Sequence, residues 1–314
     1  MSLVIYIGSE EGAEAASEAM GDVAEVCRVD ASTDSVARAL VDADALLDAS
    51  MRVPITDEML EAARKLKIIS CATTGSDHIA RDALSQKGIP VRTLREDPGL
   101  LKEITPAAEL SWALLMACAR KLKTAFRHTE QGFWSREEFP GIMLNGRTLG
   151  LVGCGRIGGW MAKYGQAFGM RVLAFDPYLD TYPEGVAERS LEHLVAESDF
   201  LSIHVHLSDE TRGLISRDIV DACKPGLILI NTSRGAIVDE AAVLDGLQSG
   251  KIGAVGVDVL DGEPETGDHP FVKYAGTHDN LLITPHCGGF SPDAVRLVCK
   301  HAAGKIRQEL SKHG

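Results

Sequence analysis

The chain has 314 residues, of which 45% are hydrophobic and 25% charged, and its formal net charge is −13. This composition is typical of a globular protein long enough for two domains. An acidic chain without runs of lysine and arginine disfavours binding to nucleic acid, which needs a basic surface. Its apolar stretches are all shorter than the roughly 20 residues of a membrane span, so we expect no membrane partner.

The seven cysteines are scattered along the chain and none forms a C-x-x-C pair. This spacing argues against a disulfide framework and against a metal site, and it favours a reducing compartment such as the cytoplasm. Cys154 and Cys287 fall in loops of interest below, where we interpret them as small apolar fillers. The N-terminal segment MSLVIYIGSEEG lacks a basic region and is interpreted as a buried strand rather than a signal peptide.

The first hundred residues alternate short β-like runs with helical patterns, which predicts a parallel, doubly wound sheet. Thr56 precedes two acids and is a predicted helix N-cap. Gly88 is placed to end the helix before it. The predicted strands cover residues 3–8, 24–29, 45–50, 67–72 and 89–94, and the predicted helices cover residues 10–20, 33–42, 57–65 and 77–87.

The pattern changes near residue 98, where Pro106 precedes one long predicted helix over residues 107–131. Alternation of strand and helix then resumes, and a last helix over residues 292–310 is predicted to pack back on the first domain. We therefore predict one domain from residues 1–98 and 290–314 and a second from residues 99–289. The strands predicted in the second domain cover residues 148–153, 170–176, 199–205, 227–231, 254–258 and 281–286.

A glycine-rich loop follows the first strand of this second domain. Gly153, Gly155 and Gly158 form G-x-G-x-x-G between an apolar strand and a helical pattern, the arrangement that lets backbone approach a pyrophosphate at a helix N-terminus. The acid Asp176 ends the next strand, near the spacing expected of a ribose-binding carboxylate. A carboxylate there repels a 2′-phosphate, so we predict NAD rather than NADP.

Polar residues follow three later strands of the same domain. They are Arg234, then Asp258 with Glu263 close behind, and then His286. Ligands bind at the carboxyl ends of parallel strands, so these side chains are expected at one point. A carboxylate beside an imidazole favours the protonated ring and equips a site for acid–base chemistry near neutral pH.

These motifs resemble the D-isomer-specific 2-hydroxyacid dehydrogenases over nearly the whole chain. The resemblance implies two doubly wound α/β domains, a flavodoxin-like substrate domain and a Rossmann NAD-binding domain. It also implies hydride transfer between NAD(H) and a small 2-keto or D-2-hydroxy acid. The motifs are TTGSDHI (73–79), AAELSWALL (107–115), GRTLGLVGCGRIG (146–158), AFGMRVLAFDP (167–177), ETRGLI (210–215), INTSRGAIVDE (230–240), GVDVLDGEP (256–264) and ITPHCGG (283–289).

The resemblance assigns roles to individual residues. Arg234 matches the arginine that holds the substrate carboxylate, His286 the general acid/base, and Glu263 the carboxylate that hydrogen-bonds the histidine. The backbone of Gly75 and Ser76 is expected to grip the substrate carboxylate, and Met51 and Arg52 are expected to read the rest of the substrate. Cofactor contacts are implied for Thr74, Gly153, Gly155, Arg156, Ile157, Gly158, Asp176, Val205, His206, Thr232, Ser233, Asp258 and Gly288.

Two departures from the family pattern stand out. His206 occupies the place of a usual proline, and Glu103 with Ile104 stands where many members carry an Asn-Ser pair.

The predicted contacts with the substrate carboxylate come from one domain and the hydride-transfer chemistry from the other. Closure about hinges near residues 98–106 and 287–291 is therefore expected. The resemblance also implies a homodimer through the NAD-binding domain, with the helix at 107–131 as a candidate interface.

Several relatives of this fold remain as alternatives. Formate dehydrogenases pair the histidine with glutamine, so Glu263 disfavours that activity. A phosphorylated substrate would need several cations near residues 50–53 and 75–78, and only Arg52 is present. A small unphosphorylated acid such as glyoxylate or hydroxypyruvate is therefore favoured, or a bulkier 2-keto acid. The alternative of a different class is an NAD(H)-sensing scaffold, similar to a corepressor, on the same fold.

Overall fold

A computed structural model describes residues 1–312, and the chain divides into two compact units. The first unit contains Met1–Ile104 together with the C-terminal segment that begins at Gly289. The second unit is Thr105–Gly288. The first change of unit falls after residue 104 rather than after residue 98.

The first unit is built on a five-stranded parallel sheet with the strand order β2-β1-β3-β4-β5. This is the flavodoxin-like order, so the predicted fold class is confirmed for this unit. Its strands are β1 (Ser2–Ile7), β2 (Ala24–Arg28), β3 (Ala45–Asp48), β4 (Ile68–Cys71) and β5 (Val91–Arg92). Its helices are α1 (Glu10–Met20), α2 (Thr33–Leu40), α3 (Asp57–Ala62), α4 (Arg81–Gln86), α5 (Pro98–Leu101) and, from the end of the chain, α13 (Pro292–Leu310).

Helices cover both faces of this sheet, which explains why β3 and β4 are buried along their whole length. On one face α13 packs against α1 through small side chains such as Ala302 and Ala303. Ser70 Oγ donates a hydrogen bond of 3.0 Å to the carbonyl of Ala302, which ties β4 to the same helix. The predicted return of the last helix to the first domain is confirmed.

The second unit is built on a seven-stranded parallel sheet with the order β12-β11-β10-β9-β6-β7-β8. Its strands are β6 (Thr148–Val152), β7 (Arg171–Phe175), β8 (Val186–Glu188), β9 (Phe200–Ile203), β10 (Leu227–Asn231), β11 (Ile252–Val257) and β12 (Leu281–Ile283). Its helices are α6 (Pro106–Ala119), α7 (Leu122–Glu130), α8 (Arg156–Ala167), α9 (Leu191–Glu197), α10 (Arg217–Ala222), α11 (Glu240–Ser249) and α12 (Pro270–Thr277). The order of the strands along the sheet reverses direction between β6 and β9. The carboxyl ends of these two strands therefore form a topological switch point, which confirms the Rossmann prediction.

The long helix predicted over residues 107–131 is wrong in one respect, because it breaks into α6 and α7. Lys121 adopts the left-handed conformation, with φ 52° and ψ 41°. The carbonyl of Ala119 turns away from a helical partner and accepts a hydrogen bond of 2.8 Å from the N–H of Ile142. A contact with a distant segment therefore ends a helix that the local sequence would continue.

Three smaller differences concern element bounds. The helix predicted from residue 77 begins at Arg81, because the N–H of Ile79 bonds back to Ser76 and the N–H of Ala80 bonds to Ile55. The strand predicted over residues 89–94 shortens to β5 and a 3₁₀ turn (Leu94–Glu96), and β8 was not predicted. Further 3₁₀ turns cover Arg136–Glu138 and Gly235–Ile237.

Candidate active site

The loops that carry the predicted site residues of the second unit leave the sheet at one level. The register of the parallel strands aligns their last residues across six strands. Because the chain leaves each strand at this row, the following loops share one edge of the sheet. The aligned residues are Phe175, Val152, Ile203, Asn231, Val257 and Ile283.

The glycine loop is shaped by close approaches of backbone to backbone. Gly153 has φ 89°, and a side chain there would also meet the carbonyl of His204. A Cβ on Gly158 would lie 2.2 Å from the carbonyl oxygen of Gly153, so only glycine lets α8 start this close to β6. Gly155 is exposed, and a Cβ there would meet nothing within 4 Å. The open space therefore lies beside the N-terminus of α8, where unpaired N–H groups favour an anion.

Asp176 connects the end of β7 to the glycine loop through hydrogen bonds. One carboxylate oxygen accepts the N–H of Cys154 at 2.9 Å, and the other accepts the N–H of Tyr178 at 3.1 Å. The side chain is half-buried directly after the strand. A carboxylate anchored in this way has a fixed direction.

The turn that carries Arg234 is organised by Asn231, the buried last residue of β10. The Asn231 side chain accepts the N–H of Ser233 at 3.0 Å and donates to the carbonyl of Arg234 at 2.9 Å. Ser233 Oγ donates to the carbonyl of Ile203 on the neighbouring strand at 2.8 Å. These bonds fix the backbone on both sides of the guanidinium, which is half-buried.

Glu263 and His286 form a hydrogen-bonded pair between a Glu263 carboxylate oxygen and Nδ1 of His286. Their side chains are 29% and 41% exposed, so the pair is accessible from solvent. Burial raises the pKa of Glu263, but the hydrogen bond and charge of His286, the N–H of Leu260 and the charge of Arg234 together hold that pKa below its usual range. Glu263 is therefore an anion at neutral pH.

The turn that presents His286 is held by Asp258, which is 1% exposed. One carboxylate oxygen of Asp258 accepts from Thr284 Oγ1 at 2.5 Å and from the N–H of Cys287 at 2.9 Å. The other accepts the N–H of Gly288 at 2.7 Å. His286 has φ 52°, a left-handed conformation that costs an ordinary residue about 1–2 kcal/mol. The hydrogen bonds of Asp258 offset that cost and fix the direction of the imidazole.

The Arg234 turn also touches the turn that carries Glu263. A Cβ on Gly235 would lie 2.1 Å from the backbone nitrogen of Asp261, so the two turns are in backbone contact. Glu240 accepts the N–H of Asp261 at 3.1 Å and pairs with His269 at 3.0 Å. The structure thus brings Arg234, Glu263 and His286 together through contacts between their turns.

Comparison with known proteins decides the family. The model described as "D-isomer specific 2-hydroxyacid dehydrogenase, catalytic domain" matches residues 4–96. The model described as "D-isomer specific 2-hydroxyacid dehydrogenase, NAD binding domain" matches residues 112–288. The chain belongs to this family. The predicted resemblance is confirmed, and so is NAD as the cofactor of the matched domain.

Three similar members show the range within the 2-hydroxyacid dehydrogenase family. D-3-phosphoglycerate dehydrogenase of Mycobacterium tuberculosis (strain ATCC 25618 / H37Rv) is 36% identical over 315 residues, which cover 99% of this chain and 58% of that protein. Hydroxypyruvate reductase of Thermotoga maritima is 38% identical over 256 residues, which cover 82% of this chain and 81% of that protein. The crystal structure of D-lactate dehydrogenase from Aquifex aeolicus, complexed with NAD and lactic acid, has a TM-score of 0.84 at 28% identity and covers 99% of this chain and 96% of that one. This chain therefore spans 58% of the length of the phosphoglycerate dehydrogenase relative.

The remaining cofactor residues predicted in the second unit lie on the same loops. Thr232 Oγ1 is 2.6 Å from Ser111 Oγ, which joins the Arg234 turn to α6. Val205 is half-buried and His206 is exposed, both directly after β9. Burial lowers the pKa of the neighbouring His204 to about 3, so this imidazole is uncharged at neutral pH.

The substrate residues predicted by the resemblance lie in the first unit. Met51 is half-buried and left-handed with φ 56°, whereas Arg52 is exposed. Gly75 and Ser76 are buried, and the half-buried Thr74 precedes them in the same loop. The side chains that organise the active-site turns, namely Asn231, Asp258, Thr284 and Glu240, were missed as structural supports. For Asn231, Asp258 and Thr284 the available signal was a polar residue at the end of a strand, whereas Glu240 lies in the first turn of α11.

Among residues 1–312, no group of three His, Cys, Asp or Glu side chains has the geometry to hold a metal ion. In that same part of the chain, no helix is long and apolar enough to cross a membrane.

Proposed function

We propose that the protein catalyses NAD(H)-dependent interconversion of a small 2-keto acid and the corresponding D-2-hydroxy acid. The observation that carries the proposal is the Glu263–His286 pair, held in contact with the turn that presents Arg234. An acid–base histidine, its carboxylate partner and a guanidinium are the groups that carbonyl reduction of a carboxylic acid needs.

The pairing defines the role of each ring nitrogen of His286. A carboxylate only accepts, so Nδ1 donates its hydrogen to Glu263 and Nε2 is left for the substrate. In the reductive direction Nε2–H donates a proton to the keto oxygen, and Glu263 stabilises the imidazolium before that transfer. The Arg234 guanidinium binds the substrate carboxylate and polarises the keto group. When bound, NADH supplies the hydride that adds to the carbon of the keto group.

The family's cofactor fits the residues of the glycine loop. The backbone at Gly155 faces open space at the start of α8, and this helix is long enough for its N-terminal N–H groups to favour a pyrophosphate. Asp176 is proposed to bind the adenosine ribose and to favour NAD over NADP. Val205 and His206 are proposed to lie along the dinucleotide, with Thr232 and Ser233 near its nicotinamide end.

The decisive experiment replaces His286 by alanine and follows NADH absorbance. We expect the turnover number to fall by about 10²–10⁴-fold, the usual contribution of a general acid, while NADH binding measured by fluorescence persists. His193→Ala is the matched control, because that exposed histidine belongs to the surface end of α9. Activity near wild type in His286→Ala would refute the acid–base assignment.

A panel of 2-keto acids identifies the substrate class. Arg52 is the cation of the loop at residues 50–53, so we propose an unphosphorylated acid and expect glyoxylate or hydroxypyruvate to exceed 3-phosphohydroxypyruvate in kcat/KM. A preference for the phosphorylated acid would overturn this. Binding of NADH without oxidation across the whole panel would instead support a sensing scaffold.

We also propose a homodimer formed through the second unit. Large apolar side chains stand exposed on α7 and the segment after it, and Trp134 is 92% exposed. Exposed large apolar side chains grouped in one stretch of the chain favour an interaction site. The others in this stretch are Phe126, Phe133 and Met143. Light scattering should give the mass of a dimer for the wild type and a lower mass for Trp134→Ser combined with Phe133→Ser. A wild-type monomer would contradict the proposal.

A further inference from the structure

A buried carboxylate–imidazole pair lies in the first unit and includes none of the residues of the active-site turns. Asp48 ends β3 and His78 ends the loop at residues 73–78. His78 Nε2 lies 2.5 Å from one Asp48 oxygen, and the two side chains are 9% and 1% exposed. Burial of such a pair costs free energy of folding, which indicates that its position serves a function.

The second oxygen of Asp48 builds the neighbouring turn. It accepts the N–H of Ser50 at 2.8 Å, Ser50 Oγ at 3.1 Å and the N–H of Met51 at 3.2 Å. Met51 is in the left-handed region, which L side chains disfavour, so this turn needs the acceptor that Asp48 provides. Ser50 Oγ in turn accepts the N–H of Arg52 at 3.2 Å.

His78 is tied to the same region through its backbone. Its carbonyl accepts the N–H of Ile55 at 2.8 Å, and the N–H of Ala80 donates to the carbonyl of Ile55 at 2.9 Å. One carboxylate therefore joins the turn at residues 50–52 to the loop at residues 73–78. Displacement of either segment would break bonds to the other.

We propose that Asp48 and His78 are positioning residues that hold these two segments in one fixed arrangement and thereby set the affinity for the substrate. The inference rests on the proposed function, in which Gly75 and Ser76 grip the substrate carboxylate and Met51 and Arg52 read the remainder. A fixed grip contributes to the bound substrate and to the transition state alike. Loss of the pair should therefore raise KM much more than it lowers kcat.

The test compares His78→Leu, which removes the donor, with His78→Gln, whose amide keeps a donor for Asp48. With glyoxylate as substrate, His78→Leu should raise KM at least tenfold, with kcat within about threefold of wild type and the Kd for NADH unchanged. His78→Gln should recover most of the lost affinity. His301→Leu is the control, because His301 pairs with Asp97 at 2.9 Å elsewhere in the same unit and should leave KM unchanged.

Several outcomes would overturn the inference. An unchanged KM in His78→Leu would do so, as would a loss of kcat at constant KM or an equal loss in the Leu and Gln variants. If His78→Leu does not fold, Asp48→Asn provides the comparison, since Asn keeps an acceptor for Ser50 and weakens only the bond to His78. Calorimetric titration with oxalate then distinguishes the two proposals. Weaker oxalate binding in the variant supports the pair even if no keto acid is turned over, and equal oxalate binding refutes it.

Discussion

Replacement of Asp258 by alanine should impair the function of His286, although His286 itself is unchanged. The carboxylate is buried and accepts the backbone N–H groups of Cys287 and Gly288 as well as the hydroxyl of Thr284. In the alanine variant both N–H groups lose their acceptor, and each such loss costs about 1–3 kcal/mol. The two together destabilise the turn by about 2–6 kcal/mol, which exceeds the strain of about 1–2 kcal/mol that the left-handed His286 already carries.

Two measurements follow from that magnitude. At about 2–4 °C per kcal/mol for a domain of this size, the melting temperature should fall by at least about 4 °C. The turnover number should fall by about 10²-fold or more, because a displacement of about 1 Å in a reacting group costs that much. Asp258→Asn should lie in between, since one oxygen is kept and one N–H loses its acceptor.

The control and the refuting result are equally specific. Asp245→Asn changes an exposed aspartate that pairs with Arg217 at the surface, so melting temperature and turnover should remain near wild type. The reasoning would be wrong if Asp258→Ala kept its melting temperature and turnover number and showed only weaker NADH binding. In that case Asp258 would act as a cofactor contact and not as the support of the His286 turn.

The remaining predictions address the cofactor loop and the charge of Glu263. Gly158→Ala should weaken NADH binding at least about tenfold in a fluorescence titration, because the new methyl meets a backbone carbonyl, whereas Gly159→Ala points into open space and should bind normally. Asp176→Ser should raise kcat/KM for NADPH relative to NADH by about tenfold, and an unchanged ratio would refute the ribose assignment. Because the pKa of Glu263 is lowered, its carboxylate is charged at neutral pH and becomes protonated only in acid. Glu263→Gln removes the group that titrates in acid, so the fall of kcat/KM that protonation of Glu263 causes on the acid side of the wild-type pH profile should be absent. A profile identical to that of the wild type would contradict this role.

The sequence predicted the elements whose signals are local. Buried central strands such as β6 and β10 are largely apolar runs, and predicted site residues follow each of them, Gly153 after β6 and Thr232 after β10. The G-x-G-x-x-G loop and Asp176 can likewise be recognised in the sequence alone, because a helix, a turn and a strand set the number of residues between them. For this reason the fold class and the three residues of the active-site cluster could be chosen from the sequence.

Features set by distant contacts could not be predicted. The break after α6 depends on a hydrogen bond from Ile142, far along the chain, and no glycine or proline marks it. The family resemblance assigns Asp258 to the cofactor, but its hydrogen bonds to residues 284–288 could not be predicted, because these partners become neighbours only when β11 and β12 pair. The link between Asp48 and His78 likewise depends on the pairing of β3 with β4.

The return of α13 to the first unit has a consequence for folding during synthesis. One face of the first sheet, including Val4 and Tyr6, is covered by α13 as well as by α1. A ribosome emits the chain from its N-terminus, so this apolar face stays incompletely covered until the whole of Thr105–Gly288 has been made. The second unit can complete its core first, and the first unit becomes a finished domain only when α13 arrives. A nascent chain of this protein therefore presents an exposed apolar surface until α13 has been made, and transient exposure of this kind favours aggregation.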